Sequence, residues 1–218
     1  MIKIKKIKRP GTLQALAYEK IKGLLVSGQL NFDEIYSANQ FAANLGVSRT
    51  PIREALLQLT AEGMLISVQG RGFKIKEHSE KEIMDFFEAR KMIEAYVIER
   101  LVNDLTEKEL EGLESTLAEM RRSAEKGDSI GFLEADKTFH MSFVHRYKNQ
   151  LLETTMENIR NLISIFGGKA LTSPGRIQEV INEHHNILEA LYKKDKNKAV
   201  QSMNYHLVAT EKSLLEDY

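Results

Sequence analysis

A glycine between two short helical patterns restricts the fold of this chain more than any other sequence feature. Residues 37–45 predict a short helix that stops at Gly46, a residue that readily takes the left-handed conformation of a helix end. Ser48 is the predicted N-cap of the next helix, and Pro51 is tolerated there because the first turn has no intrahelical N–H partner to lose. Two short helices joined by so tight a turn predict a helix-turn-helix.

The segments on either side extend this motif. Apolar residues recur at helical spacing from Leu13 to Ser27, where Gly28 ends the pattern. After the second helix, residues 65–68 and 73–76 predict two strands around Gln69-Gly70-Arg71-Gly72, whose glycines suit a tight hairpin turn. The first part of the chain is therefore predicted to be a winged helix-turn-helix.

Charge divides the chain at the end of this motif. Residues 1–76 carry 12 Lys and Arg against 5 Asp and Glu, and the remainder carries 19 against 26. A basic module joined to an acidic one indicates a polyanionic partner for the first module alone. We therefore predict a DNA-binding domain over residues 1–76 and a second domain over residues 77–218.

The helix-turn-helix segment resembles the GntR family of bacterial regulators. The resemblance is carried by the run from Leu45 to Leu56, by Leu59, by Glu62-Gly63 and by Gly70-Arg71-Gly72. It implies binding to a double-stranded DNA operator. Two departures, Asn31-Phe32-Asp33-Glu34 where relatives carry Pro-Gly and Asn39 where they often carry arginine, mean that the operator sequence cannot be taken from relatives.

Two arginines are the predicted base readers. Arg49 and Arg53 lie one turn apart at the start of the third helix, where they can reach guanine O6 and N7 in the major groove. Ser48 and Thr50 lie at the helix N-terminus, which can take phosphate. The alternative is a solvated face, on which the arginines pair with Glu54 or Glu62. The resemblance further implies that the wing tip, with Gln69, Gly70 and Arg71, enters the adjacent minor groove.

The acidic module predicts helices throughout. Capping boxes at Ser79-x-x-Glu82 and Thr106-x-x-Glu109 announce two of them. Four more are predicted at about 128–147, 149–167, 175–194 and 196–216, with a break at Gly167-Gly168. Six helices without a strand pattern predict an antiparallel bundle. The chain as a whole is therefore mainly α.

Four ionisable residues fall on the inward faces of these helices. Asp136 and His140 interrupt a stripe that includes Ile130, Leu133 and Phe143. His184 shares a face with Val180, Ile181 and Leu188, while His185 is rotated about 100° away. His206 lies between Met203 and Leu207. A lone histidine on an apolar face is more often a core residue than a ligand, but a divalent cation would offset the burial of all four together.

These residues also resemble a known domain. Asp136-x-x-x-His140, Glu183-His184 and Met203-x-x-His206-Leu207 look like the metal-binding FCD effector domain of the FadR subfamily. The resemblance implies a divalent metal and a carboxylate effector beside it. With no cysteine in the chain, three imidazoles and a carboxylate favour Zn²⁺ or Ni²⁺ and leave Mn²⁺ open. His78, His145 and His185 lie outside the pattern and are predicted to be surface residues.

Arg90 interrupts the apolar stripe of the first helix in this module. It has two interpretations, a buried pair with Glu94 one turn away or an effector site facing the metal cavity. A guanidinium there could hold an effector carboxylate by two parallel hydrogen bonds.

Together these features predict a cytoplasmic, ligand-responsive repressor that binds an inverted repeat as a homodimer. No apolar run approaches the roughly 18 residues of a membrane span. A metal-free acyl-coenzyme A sensor is one alternative, which the retained aspartate and histidines disfavour. A metal-dependent hydrolase is another; it needs a general base, and Glu183 is predicted to point away from the site.

Overall fold

The computed structural model describes residues 12–166, 171 and 173–216. They divide into two compact units between Glu77 and His78. Residues 1–11 of the predicted first domain, and the predicted break at Gly167-Gly168, lie outside the described residues. No described helix is both long enough and apolar enough to cross a membrane.

The first unit is a winged helix-turn-helix. Its elements are α1 (Leu13–Val26), α2 (Ala38–Leu45), α3 (Arg49–Ala61), β1 (Leu65–Val68) and β2 (Gly72–Ile75). Helices α1 and α2 both pack on α3, around a core that includes Ile21, Leu25, Ile52, Leu56 and Leu59. Gly46 has φ of 65° and ends α2 as predicted. Ser48 occupies the N-cap position of α3, but its side chain makes no capping hydrogen bond.

The hairpin depends on one glycine. Strands β1 and β2 are antiparallel, with Val68 opposite Gly72 and Leu65 opposite Ile75, so β2 begins one residue earlier than predicted. Gly72 has φ of 143°, and a Cβ atom there would clash with the backbone oxygen of Tyr36. Tyr36 and Phe73 form an isolated bridge across this contact. Glycine at 72 therefore lets the wing lie directly against the loop before α2.

The second unit is a bundle of helices over the part of the chain that is described. Its elements are α4 (Glu80–Leu101), α5 (Glu107–Lys126), α6 (Ser129–Tyr147), α7 (Gln150–Phe166), α8 (Arg176–Tyr192) and α9 (Lys196–Glu216). Both predicted capping boxes are present, at the starts of α4 and α5. Helix α4 packs against α6, α7 and α9, and α8 packs against α5 and α9.

The inward face of α6 differs from the prediction at its start. Phe132, Phe139 and Phe143 are buried, whereas Ile130 is 47% exposed. Ile130 precedes Phe132 by two residues, which is about 200° around a helix. The true stripe therefore begins at Phe132 and continues through Asp136 and His140 at helical spacing.

Candidate metal centre and nucleic-acid interface

One face of the first unit combines the recognition helix and the wing. Arg49 is the first residue of α3, and Arg53 follows one turn later; both are exposed. They line a groove of about 310 Å³ together with Asn39 at the start of α2 and with Gly70 and Arg71 of the hairpin turn. The predicted contact residues Ser48, Thr50 and Gln69 are exposed as well, outside the lining of this groove.

The two arginines do not form the ion pairs that the alternative interpretation requires. Within the described residues, neither Arg49 nor Arg53 pairs with an acidic side chain. Glu62 instead accepts hydrogen bonds from the Tyr18 hydroxyl at 2.6 Å and from Gln58 at 3.0 Å. Both guanidinium groups therefore remain available to an external partner such as the edge of a base.

The second unit brings the four predicted ligands together. Asp136 and His140 come from α6, His184 from α8 and His206 from α9. One ligand atom from each residue lies within 4.8 Å of the others, and all four residues are buried. Three helices thus converge on one polar point inside an apolar bundle.

In each of the three histidines of this cluster, Nδ1 is hydrogen-bonded to an acceptor oxygen. Nδ1 of His184 donates to the Val180 carbonyl at 2.8 Å, and Nδ1 of His206 donates to Glu183 Oε2 at 2.7 Å. Nδ1 of His140 donates to the Glu94 carboxylate. Because a carbonyl or carboxylate oxygen can only accept, each Nδ1 carries a proton. In the neutral rings, each Nε2 therefore carries a lone pair.

These three Nε2 atoms face one another and Asp136. The Nε2 atoms of His140 and His206 are 3.2 Å apart, and Nε2 of His184 lies 3.2 Å from Asp136 Oδ1. Nε2 of His184 is buried without a hydrogen-bond partner. Converging lone pairs repel unless a cation lies among them, and imidazole with carboxylate is a donor set that divalent transition metals prefer. The residues present therefore fit a divalent metal.

Asp136 has a second partner that the sequence analysis missed. Arg160, on α7, donates from Nη2 to Asp136 Oδ2, and both residues are buried. Burial by itself raises the pKa of Asp136, but Arg160 and His140 reverse this effect and hold that pKa well below its usual range. Arg160 lies four residues after Met156 and three before Ile163, on the apolar side of α7. That spacing was the signal available in the sequence.

Arg90 forms the predicted buried pair with Glu94 and also lines a cavity. Its Nε donates to Glu94 Oε1 at 2.9 Å, so the buried pair exists. Its guanidinium also lines a cavity of about 40 Å³ beside Asp136 and His206. Burial opposes ionisation of Glu94, yet His140 and Arg90 lower its pKa below the usual value. Glu94 thus links Arg90 to the imidazole of His140.

Glu183 lies closer to the cluster than its position on α8 predicted. It accepts from His206 Nδ1, and Arg176 holds both of its oxygens at 2.6 and 3.0 Å. The prediction considered α8 alone, but α9 packs alongside it and brings His206 to Glu183. Burial, together with the neighbouring His184, lowers the pKa of His206 to about 3. His206 is therefore neutral near pH 7, as a metal ligand must be.

The three histidines outside the cluster differ in their exposure to solvent. His145 and His185 are exposed, as predicted. His78 is only 3% exposed, contrary to the prediction. Its ring packs edge-on against Phe86 and Phe166, at centroid distances of 5.2 and 5.6 Å. These aromatic partners belong to α4 and α7, so the sequence around His78 carries little sign of its burial.

Comparison with known proteins agrees with this architecture. A family model described as bacterial regulatory proteins, gntR family, matches residues 13–75, and the FCD domain model matches residues 85–209. The HTH-type transcriptional regulator YdhC of Bacillus subtilis (strain 168) is 27% identical over 202 residues, covering 92% of this chain and 90% of that protein. The gluconate operon transcriptional repressor of the same organism is 28% identical over 196 residues, covering 87% and 79%.

Solved structures show the same fold. E. coli McbR/YncC superposes with a TM-score of 0.85 at 23% identity, and the superposition covers 96% of this chain and 100% of that chain. A GntR regulator from Rhodococcus sp. RHA1 gives a TM-score of 0.82 at 19% identity, covering 94% and 98%. The matched families and relatives are transcription regulators, not enzymes. The chain therefore belongs to the GntR family of bacterial regulators, with an FCD domain after its winged helix-turn-helix.

Proposed function

We propose that this protein is a ligand-responsive transcription repressor of the FadR subfamily, which binds an inverted-repeat operator as a homodimer and senses a small carboxylate beside a divalent metal. The observation that carries this proposal is the convergence of Asp136 and three histidine Nε2 atoms beside a cavity that contains Arg90. Two similar proteins are named as repressors, the gluconate operon repressor of B. subtilis and the probable D-xylose utilization operon repressor of Paenarthrobacter nicotinovorans. Those names favour repression.

In this proposal the DNA contacts divide by chemistry. Arg49 and Arg53 read base edges in the major groove, and Ser48 and Thr50 position phosphate at the N-terminus of α3. The exposed turn of Gln69, Gly70 and Arg71 reaches the adjacent minor groove. A two-fold axis repeats these contacts on a second half-site, which is why we expect an inverted repeat.

The metal would be held by Asp136, His140, His184 and His206. When bound, the metal would be coordinated by the converging Nε2 lone pairs and would offer further coordination positions to an oxygen ligand. Zn²⁺ or Ni²⁺ suits three imidazoles, and Mn²⁺ suits the carboxylate. Glu94 and Glu183 orient two of the imidazoles and keep their Nδ1 atoms protonated. Arg90 lines the adjoining cavity, where it binds the effector carboxylate and brings α4 into the effector site.

The cavity also weighs against the alternatives. The cavity is lined in part by Arg90, Asp136 and Arg160, and these buried charges favour a charged ligand over an acyl chain. Glu183 accepts hydrogen bonds from both Nη atoms of Arg176 and from the imidazole of His206, so it is not free to act as the general base of a hydrolase.

Carboxylate sensing is tested by measuring whether small carboxylates release the protein from its operator DNA. An operator is first selected from genomic fragments with the zinc-loaded protein, and its affinity is measured by fluorescence anisotropy at fixed salt. In a panel of small carboxylates, at least one should weaken operator binding about 5- to 150-fold, the usual range of allosteric coupling. The same compound should have no effect on Arg90→Gln. A wild-type protein that ignores the whole panel contradicts carboxylate sensing, whereas a panel that acts equally on Arg90→Gln contradicts the role of Arg90.

Glu94→Gln tests whether the carboxylate hydrogen-bonded to His140 Nδ1 supports metal binding. The amide keeps the shape of the side chain and removes its charge, so the affinity for Zn²⁺ should fall about 10- to 100-fold. Competition with a chromophoric chelator measures this affinity. Glu99 lies on the same helix at the surface, paired with Lys196, and Glu99→Gln is the matched control. An unchanged zinc affinity in Glu94→Gln would show that this carboxylate does not support the metal.

A further inference from the structure

The cavity beside the cluster contains two guanidinium groups. Arg90 comes from α4 and Arg160 from α7, and both line the cavity with Asp136 and His206. Arg90 is 1% exposed and Arg160 is 4% exposed. Burial of two arginines at one small cavity is unusual, because a buried cation requires a partner to offset its loss of hydration.

Each guanidinium is only partly satisfied by the protein. Arg90 donates from Nε to Glu94, and its Nη2 is buried without a hydrogen-bond partner. Arg160 donates from Nη2 to Asp136, and its Nε is buried without one. Buried N–H donors in proteins almost always have an acceptor. Two residues that line the cavity, on different helices, therefore each keep one unpaired N–H donor, and a separate acceptor group for each would satisfy them.

The net charge beside the cavity also favours a ligand with two acid groups. The two guanidinium groups are close enough for Arg160 to add to the effect of burial in lowering the pKa of Arg90. Glu94 and Asp136 offset these two positive charges, but Asp136 also belongs to the ligand cluster. A divalent metal there would leave two positive charges in excess. A monocarboxylate offsets one of them, and a dicarboxylate offsets both.

We propose that Arg160 is a second effector anchor and that the cavity selects a compact dicarboxylate, with one acid group held by Arg90 and the other by Arg160. This inference rests on the proposed function, because it takes the same cavity as the effector site. It makes Arg160 the specificity-determining residue. A ligand with a single acid group would leave the Arg160 donor unpaired.

Isothermal titration calorimetry of the zinc-loaded full-length protein tests this selectivity. Malonate, succinate and glutarate are compared with butyrate at fixed ionic strength, so that chain length and charge vary separately. The best dicarboxylate should bind at least about tenfold more tightly than butyrate, as expected for one additional charged hydrogen-bonded contact. Inorganic phosphate carries its charge on a single centre and should bind more weakly than that dicarboxylate.

The variant Arg160→Gln should reduce the ratio of dicarboxylate affinity to butyrate affinity to about onefold. Zinc content and circular dichroism verify that the variant is folded and loaded, and Arg160→Met replaces it if it is not. Equal binding of butyrate and dicarboxylate by the wild type, or equal binding of phosphate, overturns the second anchor and leaves carboxylate sensing intact. Failure of every carboxylate to bind overturns the proposed function itself.

Discussion

His184→Ala is expected to abolish the metal dependence of thermal stability, and His185→Ala is expected to preserve it. His184 is fully buried, with Nε2 directed toward Asp136, whereas its neighbour is exposed. A metal that binds only the folded state at 100 to 1,000 times its Kd adds about 3–4 kcal/mol of stability. For a unit of this size, that corresponds to a rise in Tm on the order of 10 °C.

The measurement compares metal-free and zinc-reconstituted protein for each variant, with elemental analysis of the same samples. The difference in Tm on adding zinc is the informative quantity, because removal of any buried ring also lowers the absolute Tm through the cavity it leaves. Wild type and His185→Ala should each bind one equivalent in the cluster. Absence of stoichiometric metal in reconstituted wild type, or loss of the response in His185→Ala, would refute the proposed site.

Arg49→Ala and Arg53→Ala are each expected to lose about 1–3 kcal/mol of specific operator affinity, which is the usual contribution of a base-reading arginine. Both side chains are exposed on the same groove and lack an acidic partner within the described residues, so we expect the unit to stay folded without them. The double variant should lose about 2–6 kcal/mol if the two contacts are independent. Binding to unrelated DNA should fall much less.

Anisotropy titrations on the selected operator and on a scrambled duplex, at one salt concentration, separate base reading from charge. Arg121 is an exposed arginine of the helical unit, and Arg121→Ala removes one positive charge away from α3 and the wing. This control should bind both duplexes as the wild type does. If the α3 variants lose affinity for both duplexes equally, the arginines contact phosphate and the assignment of base readers is wrong.

Much of the candidate site was predictable because its four ligands follow helical periodicity. Asp136 and His140 are one turn apart on α6, and His184 and His206 each lie among buried apolar neighbours, so a 3.6-residue period places all four inward. The partners of these ligands were not predictable in the same way. Arg160 and Glu94 reach the cluster from α7 and α4, and no periodicity within one helix relates residues on different helices.

Local rules were sufficient for the boundaries of most helices and for the wing. Gly46 ends α2 because a glycine tolerates a positive φ, and Ser79 and Glu82 cap α4 through atoms three residues apart. These interactions lie within one turn of chain, so the sequence by itself determined them. It also determined which face of each helix is apolar, and hence that three histidines and an aspartate point inward.

Only the tertiary structure decided which groups meet. Packing of α9 against α8 brings His206 to Glu183, although the sequence on α8 alone directs that carboxylate away from the site. Contacts with Phe86 and Phe166 bury His78, and the rotation of α6 leaves Ile130 exposed. The physical reason is common to these cases. Helical periodicity specifies a direction around one axis, whereas the rotation and register of one helix against another depend on side-chain packing between residues far apart in the chain.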